Sequence, residues 1–230
     1  MSRGFFVTGT GTDVGKTFVS RLLVEALACF VPVSYMKPVQ TGCGPRKSAT
    51  LRAPDFEYVK KSGRLVLGPD RHHVPYRFVH ACSPHLAARR ARSQVSILKI
   101  KRSLDMIQSL PGMRGGCVIV EGAGGVMVPL GPATLMINLM ALLKLPVILV
   151  TTPGLGTLNH TFLTMCAIDA AGLSLAGLVI NNRHNIRKDF MYRDNIRTLR
   201  DYARDVPFLE LPYGSRSLKK TKEFCDELLR

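Results

Sequence analysis

A short apolar run, Phe5-Phe6-Val7, leads directly into Gly9-Thr10-Gly11-Thr12-Asp13-Val14-Gly15-Lys16-Thr17, and an apolar-periodic stretch continues from Thr17 to Phe30. Strand, glycine-rich turn and helix in that order constrain the fold more than any other part of the chain. Glycines let the backbone turn so that successive N–H groups wrap phosphate oxygens, the lysine neutralises the outer phosphates, and the threonine hydroxyl suits Mg²⁺. The spacing is G-x5-G-K-T, one residue longer than the strict phosphate-loop pattern, with Thr10 where that pattern has glycine.

The same alternation continues down the chain. Strands are expected at Val33–Met36, Cys117–Val120, Pro146–Val150, Ala176–Ile180 and Phe208–Leu211, the Cys117–Val120 strand stopping at Glu121. Helices are expected at Asp55–Lys61, from Ser83-Pro84 with Ser83 as cap, at Ile97–Leu110, Leu135–Leu143, Leu158–Ala171 and Lys188–Ala203, and at the end of the chain. Strands apolar along their whole length, alternating with helices, describe a parallel sheet covered on both faces. The expected fold is therefore α/β and P-loop NTPase-like. With 230 residues and no linker long enough to divide them, one domain over residues 1–230 is expected.

Charge is the unusual quantity: 32 Lys and Arg against 16 Asp and Glu, a net +16. Such a balance raises nucleic acid, an acidic membrane surface or a phosphorylated ligand as partners. The excess is local, however. Residues 46–102 hold 14 basic and 3 acidic side chains, while residues 103–182 are close to neutral. A solvated basic face is the expectation for that segment, with no nucleic-acid and no membrane partner. The six cysteines form no C-x-x-C pair, which suits reduced thiols and a cytoplasmic location. No secretion signal and no apolar run of membrane-spanning length is read in the chain.

Ligands of such sheets bind at the carboxyl ends of the strands, and three further motifs stand there. Glu121-Gly122-Ala123-Gly124-Gly125 places a carboxylate where a P-loop enzyme holds Mg²⁺, with glycines that permit close backbone approach. Lys37-Pro38-Val39-Gln40-Thr41-Gly42 sets a second lysine beside the phosphate loop. Thr152 to His160, through Gly154, Leu155, Gly156, Thr157, Leu158 and Asn159, gives a helix start whose free N–H groups suit a carboxylate or phosphate.

Together with Pro75-Tyr76-Arg77-Phe78, Ser83-Pro84-His85-Leu86-Ala87, Leu145–Val150 and Gly177-Leu178-Val179-Ile180-Asn181, these motifs resemble the dethiobiotin synthase family over about Phe5 to Asn181. In that family the longer phosphate loop is the normal form. The resemblance implies a homodimeric enzyme that joins CO₂ to 7,8-diaminopelargonate with ATP and Mg²⁺. It implies catalytic roles for Lys37, Lys16 and Thr12, facing the γ-phosphate and the carbamate. Nucleotide would be held by Asp13, Val14, Gly15, Lys16 and Thr17, and by Glu121, Gly122, Ala123 and Gly124. Asn181 would take the adenine edge, with backbone near Pro212 closing the base pocket. Thr17, Asp55 and Glu121 would hold the metal. Thr41 and the segment Gly154–Asn159 would meet the substrate, the latter across the dimer interface.

The chain departs from the family at three places. Either Phe190 or Tyr192 stands where relatives supply a substrate-binding tyrosine, Asn138 where relatives commonly have aspartate, and Arg89–Ser93 where they have a shorter, more acidic turn. Two rivals share the phosphate loop. A cobyrinate-type amidoligase needs a glutamine-handling partner or domain. A ParA/MinD-like switch ATPase binding DNA or membrane carries an early loop lysine, where this chain has Gly11 and Thr12.

Overall fold

The computed structural model describes residues 3–44, 51–215 and 217–230. Arg46 and Lys47 of the basic segment lie outside the described residues. Six parallel strands form the central sheet: β1 (Arg3–Gly9), β2 (Val33–Met36), β5 (Cys117–Gly125), β8 (Val147–Thr151), β9 (Leu175–Asn181) and β10 (Phe208–Leu211). Their spatial order is β10-β9-β8-β1-β5-β2. The chain leaves β1 for β2, returns to β5 between them, and then moves to the other side of β1. The resulting switch point lies at the carboxyl end of β1, where open α/β sheets place ligands.

Because strand side chains alternate, each strand feeds two apolar layers. Phe5 and Val7 of β1 pack with α1 (Lys16–Leu27), α2 (Pro54–Lys60) and α9 (Leu218–Leu229). Phe6 faces the opposite layer, with α4 (Pro84–Arg90), α5 (Ile97–Gln108) and α6 (Met136–Leu143). A third cluster joins Leu149, Leu178 and Ile180 to α8 (Phe190–Tyr202), with α7 (Thr157–Ala170) packed against it. Both faces of the sheet are covered, as its apolar strands require.

Several boundaries differ from the sequence expectation. The strand expected to stop at Glu121 runs on to Gly125, and its pairing with β1 shifts register between Val7 and Gly9. Glu121 is thus inside the strand rather than just past it. Two small sheets were not foreseen: β3 (Val39–Gln40) with β4 (Tyr76–Arg77), and the hairpin β6 (Pro129–Gly131) with β7 (Thr134–Leu135). Strands of two or three residues carry too few side chains for a period-2 pattern to register. The four-residue α3 (Asp70–His73) escaped for the same reason. Pro84 does occupy the first turn of α4, but the Ser83 hydroxyl makes no capping bond. Ser96 caps α5 instead, accepting from the Lys99 N–H at 3.3 Å. Asn138 accepts from the Leu135 N–H at 2.7 Å and closes the first turn of α6, so this departure from the family is a structural cap. The six cysteines are free. Among the described residues no helix is long and apolar enough to cross a membrane.

Close packing between sheet and helix makes one position diagnostic. A Cβ on Gly177 of β9 would stand 2.6 Å from Cζ of Phe224 on α9, inside the core. Gly177→Ala should lower unfolding stability by about 1–3 kcal/mol, read as a lower urea midpoint with nucleotide affinity unchanged. An unaltered midpoint would mean that α9 is free to move off the sheet.

Candidate active site

The phosphate loop is shaped by backbone conformation. Asp13 and Gly15 both adopt positive φ, 60° and 90°, so the chain reverses before entering α1. Gly15 is also fixed by its neighbour: an added Cβ would lie 2.1 Å from Nδ2 of Asn181. That amide donates to the Val14 carbonyl at 3.0 Å, tying the end of β9 to the loop. Among the described residues the Asn181 side-chain oxygen has no hydrogen-bond partner. Lys16 Nζ donates to the Gly11 carbonyl at 2.7 Å, which holds the ammonium within the loop.

The electrostatic centre is Glu121, whose side chain is fully buried. Its Oε1 accepts from Lys37 Nζ at 2.6 Å and from Thr17 Oγ1 at 2.8 Å. Its Oε2 accepts from the Tyr35 hydroxyl at 2.8 Å. Lys37 Nζ also lies 2.8 Å from Asp55 Oδ2 and donates to the Gly122 carbonyl at 3.2 Å. Four elements therefore meet on one carboxylate: β5 supplies it, β2 brings Tyr35 and leads to Lys37, α1 brings Thr17, and α2 adds Asp55 through the lysine. Asp55 belongs to the first turn of α2, where Ala53 is the capping residue. It is a site carboxylate rather than a helix cap.

The two lysines respond differently to this setting. Burial alone would push Lys37 down, but the Glu121 and Asp55 carboxylates outweigh it and raise its pKa. Lys16 is lowered from 10.5 to about 8, by burial first and by the charge of Lys37 second. Burial, followed by the Glu121 charge, holds Tyr35 well above its ordinary value, so it remains a donor.

A cleft of about 920 Å³ opens over this network. It brings together most of the residues singled out in the sequence. Thr12, Asp13, Gly15, Lys16 and Thr17 line its loop side; Lys37, Thr41 and Asp55 line another wall. Glu121, Ala123 and Gly124 form its floor, and Asn181 and Pro212 its far end. Val14 and Gly122 stand just behind the lining, in contact with Asn181 and Lys37 through their carbonyls. Gly154–Asn159 is not part of this cleft in the single chain. Leu155 there is 91% exposed, and Thr157 is buried in a hydroxyl cluster with Thr151 and Thr161. Of the two aromatic candidates, Tyr192 is buried and donates to Glu210 Oε1 at 2.7 Å, whereas Phe190 is 85% exposed.

Several cleft residues were missed, four of them with long polar or aromatic side chains. Arg183 donates to the Asp13 carbonyl at 2.9 Å, and Tyr213 lines the end near Pro212. Arg52 and Tyr58 line the α2 side. Asn182-Arg183 directly after a strand end was the available signal for Arg183; Tyr213 and Arg52 stand in irregular segments, and Tyr58 lies on α2 with no motif around it.

Comparison with known proteins agrees with this geometry. A family model described as an AAA domain matches residues 3–216. A protein of Fusobacterium nucleatum subsp. nucleatum is 36% identical over 217 residues, covering 94% of each chain. One of Aeromonas hydrophila subsp. hydrophila is 37% identical over 221 residues, covering 95% of this chain and 94% of that one. A third, from Paramagnetospirillum magneticum, is 38% identical over 183 residues, covering 80% and 78%. All three are named ATP-dependent dethiobiotin synthetase BioD. Among solved structures, a ParA family ATPase from Chlorobium tepidum TLS has a TM-score of 0.55 at 12% identity, covering 100% of this chain and 92% of that one. A putative plasmid partition protein from Borrelia burgdorferi B31, bound to AMPPNP, has 0.57 at 10% identity, covering 100% and 97%. These structures share the P-loop NTPase fold, and the likeness extends no further than the fold.

The Lys16 shift has a measurable consequence. At pH 7 this lysine is charged with or without nucleotide. Near pH 9 it is mostly neutral in the free protein, and a bound polyphosphate favours the charged form. Nucleotide binding should therefore take up close to no proton at about pH 7 and approach one at about pH 9. Calorimetry in buffers of different ionisation enthalpy reads this uptake. Lys16→Met should abolish the pH-dependent part; uptake that does not change with pH would contradict the lowered value.

Proposed function

The chain belongs to the ATP-dependent dethiobiotin synthetase family, and from that membership we propose that it closes the ureido ring of dethiobiotin from 7,8-diaminopelargonate, CO₂ and ATP, with Mg²⁺. The observation that carries this reading is Lys37, an ammonium buried between the Glu121 and Asp55 carboxylates, within one cleft with the phosphate-loop lysine.

One amine of the substrate adds to CO₂ and loses a proton to give a carbamate. A carbamate oxygen attacks the γ-phosphorus, and ADP leaves. The second amine then attacks the carbonyl carbon of the carbamic-phosphoric anhydride; the bond to the phosphate oxygen breaks, phosphate departs, and the new ring nitrogen gives up its proton. Negative charge gathers on the carbamate and the transferring phosphoryl group, so the protein's work is positioning and electrostatic stabilisation. Lys16 and Lys37 bring positive charge to the γ-phosphate and carbamate. The raised pKa of Lys37 keeps it charged throughout the working pH range. Thr12 and Thr41 add hydroxyl hydrogen bonds from opposite rims of the cleft, and the N–H groups of the loop through Thr17 receive the phosphates.

The donor set fits Mg²⁺, which prefers hard oxygen ligands. Thr17, Glu121 and Asp55 offer one hydroxyl and two carboxylates, linked to one another through the Thr17–Glu121 bond and the Lys37 bridge. When bound there, the ion supplies charge neutralisation to the nucleotide phosphates. At the far end of the cleft, the Asn181 oxygen remains to accept from the exocyclic amine of adenine, since its nitrogen is bonded to Val14.

The active form in this reading is a homodimer. Gly154–Asn159 stands outside the cleft of its own chain, so its N–H groups reach a substrate carboxylate only in a partner's site. Phe190, exposed at the start of α8, is the aromatic group available at the surface; the Tyr192 hydroxyl is engaged by Glu210.

Phosphate release should require diaminopelargonate, bicarbonate and Mg-ATP together. Lys37→Ala should lower ring closure by about 10³-fold or more while nucleotide still binds. Product formation is followed by mass spectrometry alongside phosphate release. A nucleotidase rate indifferent to the diamine would overturn the assignment.

A further inference from the structure

Part of the basic excess lies away from the cleft, at the end of α4 and on α5. Between Arg89 and Arg102 the chain carries Arg89, Arg90, Arg92, Lys99, Lys101 and Arg102 and no acidic residue. All are exposed except the half-buried Lys101. None of them lines the active-site cleft. Arg89 and Arg90 occupy the last turn of α4, and Arg92 follows with a positive φ of 48°. Lys99, Lys101 and Arg102 belong to the first half of α5. The five peptide links from Arg92 to Ile97 reach at most about 18 Å, so the end of α4 and the start of α5 are near neighbours. The Tyr76 hydroxyl anchors the connection, accepting from the Ser96 N–H at 2.8 Å.

The fold gains little from this crowding. Lys101 pairs with Asp105, and Lys99 sits over the Tyr76 ring at 4.6 Å. Among the described residues, Arg89, Arg90, Arg92 and Arg102 have no ion-pair partner. Lys99 and Arg102 stand toward the amino end of α5, where the helix dipole disfavours positive charge and the first turn holds no acidic residue. Such an arrangement costs stability unless an anion faces it. Apolar side chains are interleaved with the charges: Leu98, Arg102 and Met106 follow one another at i, i+4 and i+8 on α5, and Leu98 and Met106 are exposed. The opposite side of the helix is anchored in the core by Ile100, Leu104 and Ile107.

We propose that this face, the end of α4 with the outer side of α5, is a docking surface for an anionic lipid bilayer. Fixed cations with exposed leucine and methionine between them match a headgroup layer, in which charge attracts and apolar groups partition. Single-stranded nucleic acid is the poorer fit, because it is held by exposed aromatic platforms, and the aromatic residues of this region, Tyr76 and Phe78, are buried. The surface makes the protein a peripheral membrane binder and leaves the cleft unobstructed.

The test is flotation of the purified protein with vesicles of phosphatidylcholine alone or with about 40% phosphatidylglycerol, at about 0.15 M salt, where surface charges still act over roughly 8 Å. Binding should appear only with the anionic lipid and fall steeply as salt rises. The triple variant Arg89→Glu, Arg92→Glu, Arg102→Glu should lose at least about 100-fold in affinity, each basic residue contributing about fivefold. Leu98→Ser with Met106→Ser should lose several-fold more at high salt than at low salt. Circular dichroism and nucleotide affinity confirm that the variants are folded. Absence of binding to anionic vesicles, binding unaffected by the triple variant, or a DNA or RNA duplex that binds more tightly than the vesicles under the same conditions would overturn the proposal.

Discussion

The Glu121 carboxylate, removed from water and held by Lys37, Thr17 and Tyr35, is the constraint around which the site is arranged. An isolated buried carboxylate costs several kcal/mol, and a buried pair seldom repays the whole of that in stability. What the network contributes is position. Oε2 is occupied by a tyrosine packed in the apolar layer, stacked on Phe56, so Oε1 is directed toward the phosphate loop. Lys37 cannot leave without stranding two carboxylates. Its ammonium is therefore fixed before any ligand arrives, and in the proposed reaction that fixed charge is the preorganisation on which electrostatic catalysis rests.

A second coupling runs through Gly15 and Asn181. The glycine's positive φ and the 2.1 Å that would separate its missing Cβ from the asparagine amide leave room for no side chain. The phosphate loop and the far end of the cleft are thus joined at one contact, with Asn181 shaping the loop through Val14. Arg183 extends the same clasp by bonding the Asp13 carbonyl. The loop is held from β9 as well as from its own helix, which helps a longer G-x5-G-K-T turn keep a defined shape.

Much of this was legible in the sequence, because the informative elements are long or chemically explicit. The six strands of the sheet are apolar on both faces, and Lys16, Lys37 and Glu121 follow strand ends or lie within them, where a parallel sheet gathers its ligands. What the sequence did not disclose depends on tertiary approach. Tyr35 is an ordinary strand aromatic until its hydroxyl meets Glu121 across β2 and β5. Asp55 reads as a helix start from its neighbours and is marked as a metal ligand by the resemblance alone, while its pairing with Lys37 needs α2 folded into place. Arg183, Tyr213 and Arg52 come from segments whose irregularity hides their convergence, and Tyr58 from a helix with no motif around it. The overextension of β5 to Gly125 has a local cause: Gly-Ala-Gly-Gly suggests a turn by composition, yet the register shift against β1 lets the strand continue.

The distribution of charge separates two tasks that the net value of +16 conflates. The cleft is lined by Lys16, Lys37, Lys61, Arg52 and Arg183 and by Asp13, Asp55, Glu57 and Glu121, so the charge there is nearly balanced; Lys16, with a pKa near 8, is more easily tuned than Lys37. On the outer side of α5, Lys99 and Arg102 are solvated, without an acidic partner among the described residues, and set against the helix dipole. Among the same residues, Arg89, Arg90 and Arg92 at the end of α4 add further unpaired charge. Coulomb interaction at exposed sites is weak and screened within about 8 Å at physiological salt, so that surface does little for a ligand deep in the cleft. Its charges act on something broad and flat, over many contacts at once, whereas those of the cleft act on a few atoms at fixed distance. The same residue types therefore serve opposite physical ends, and burial decides which.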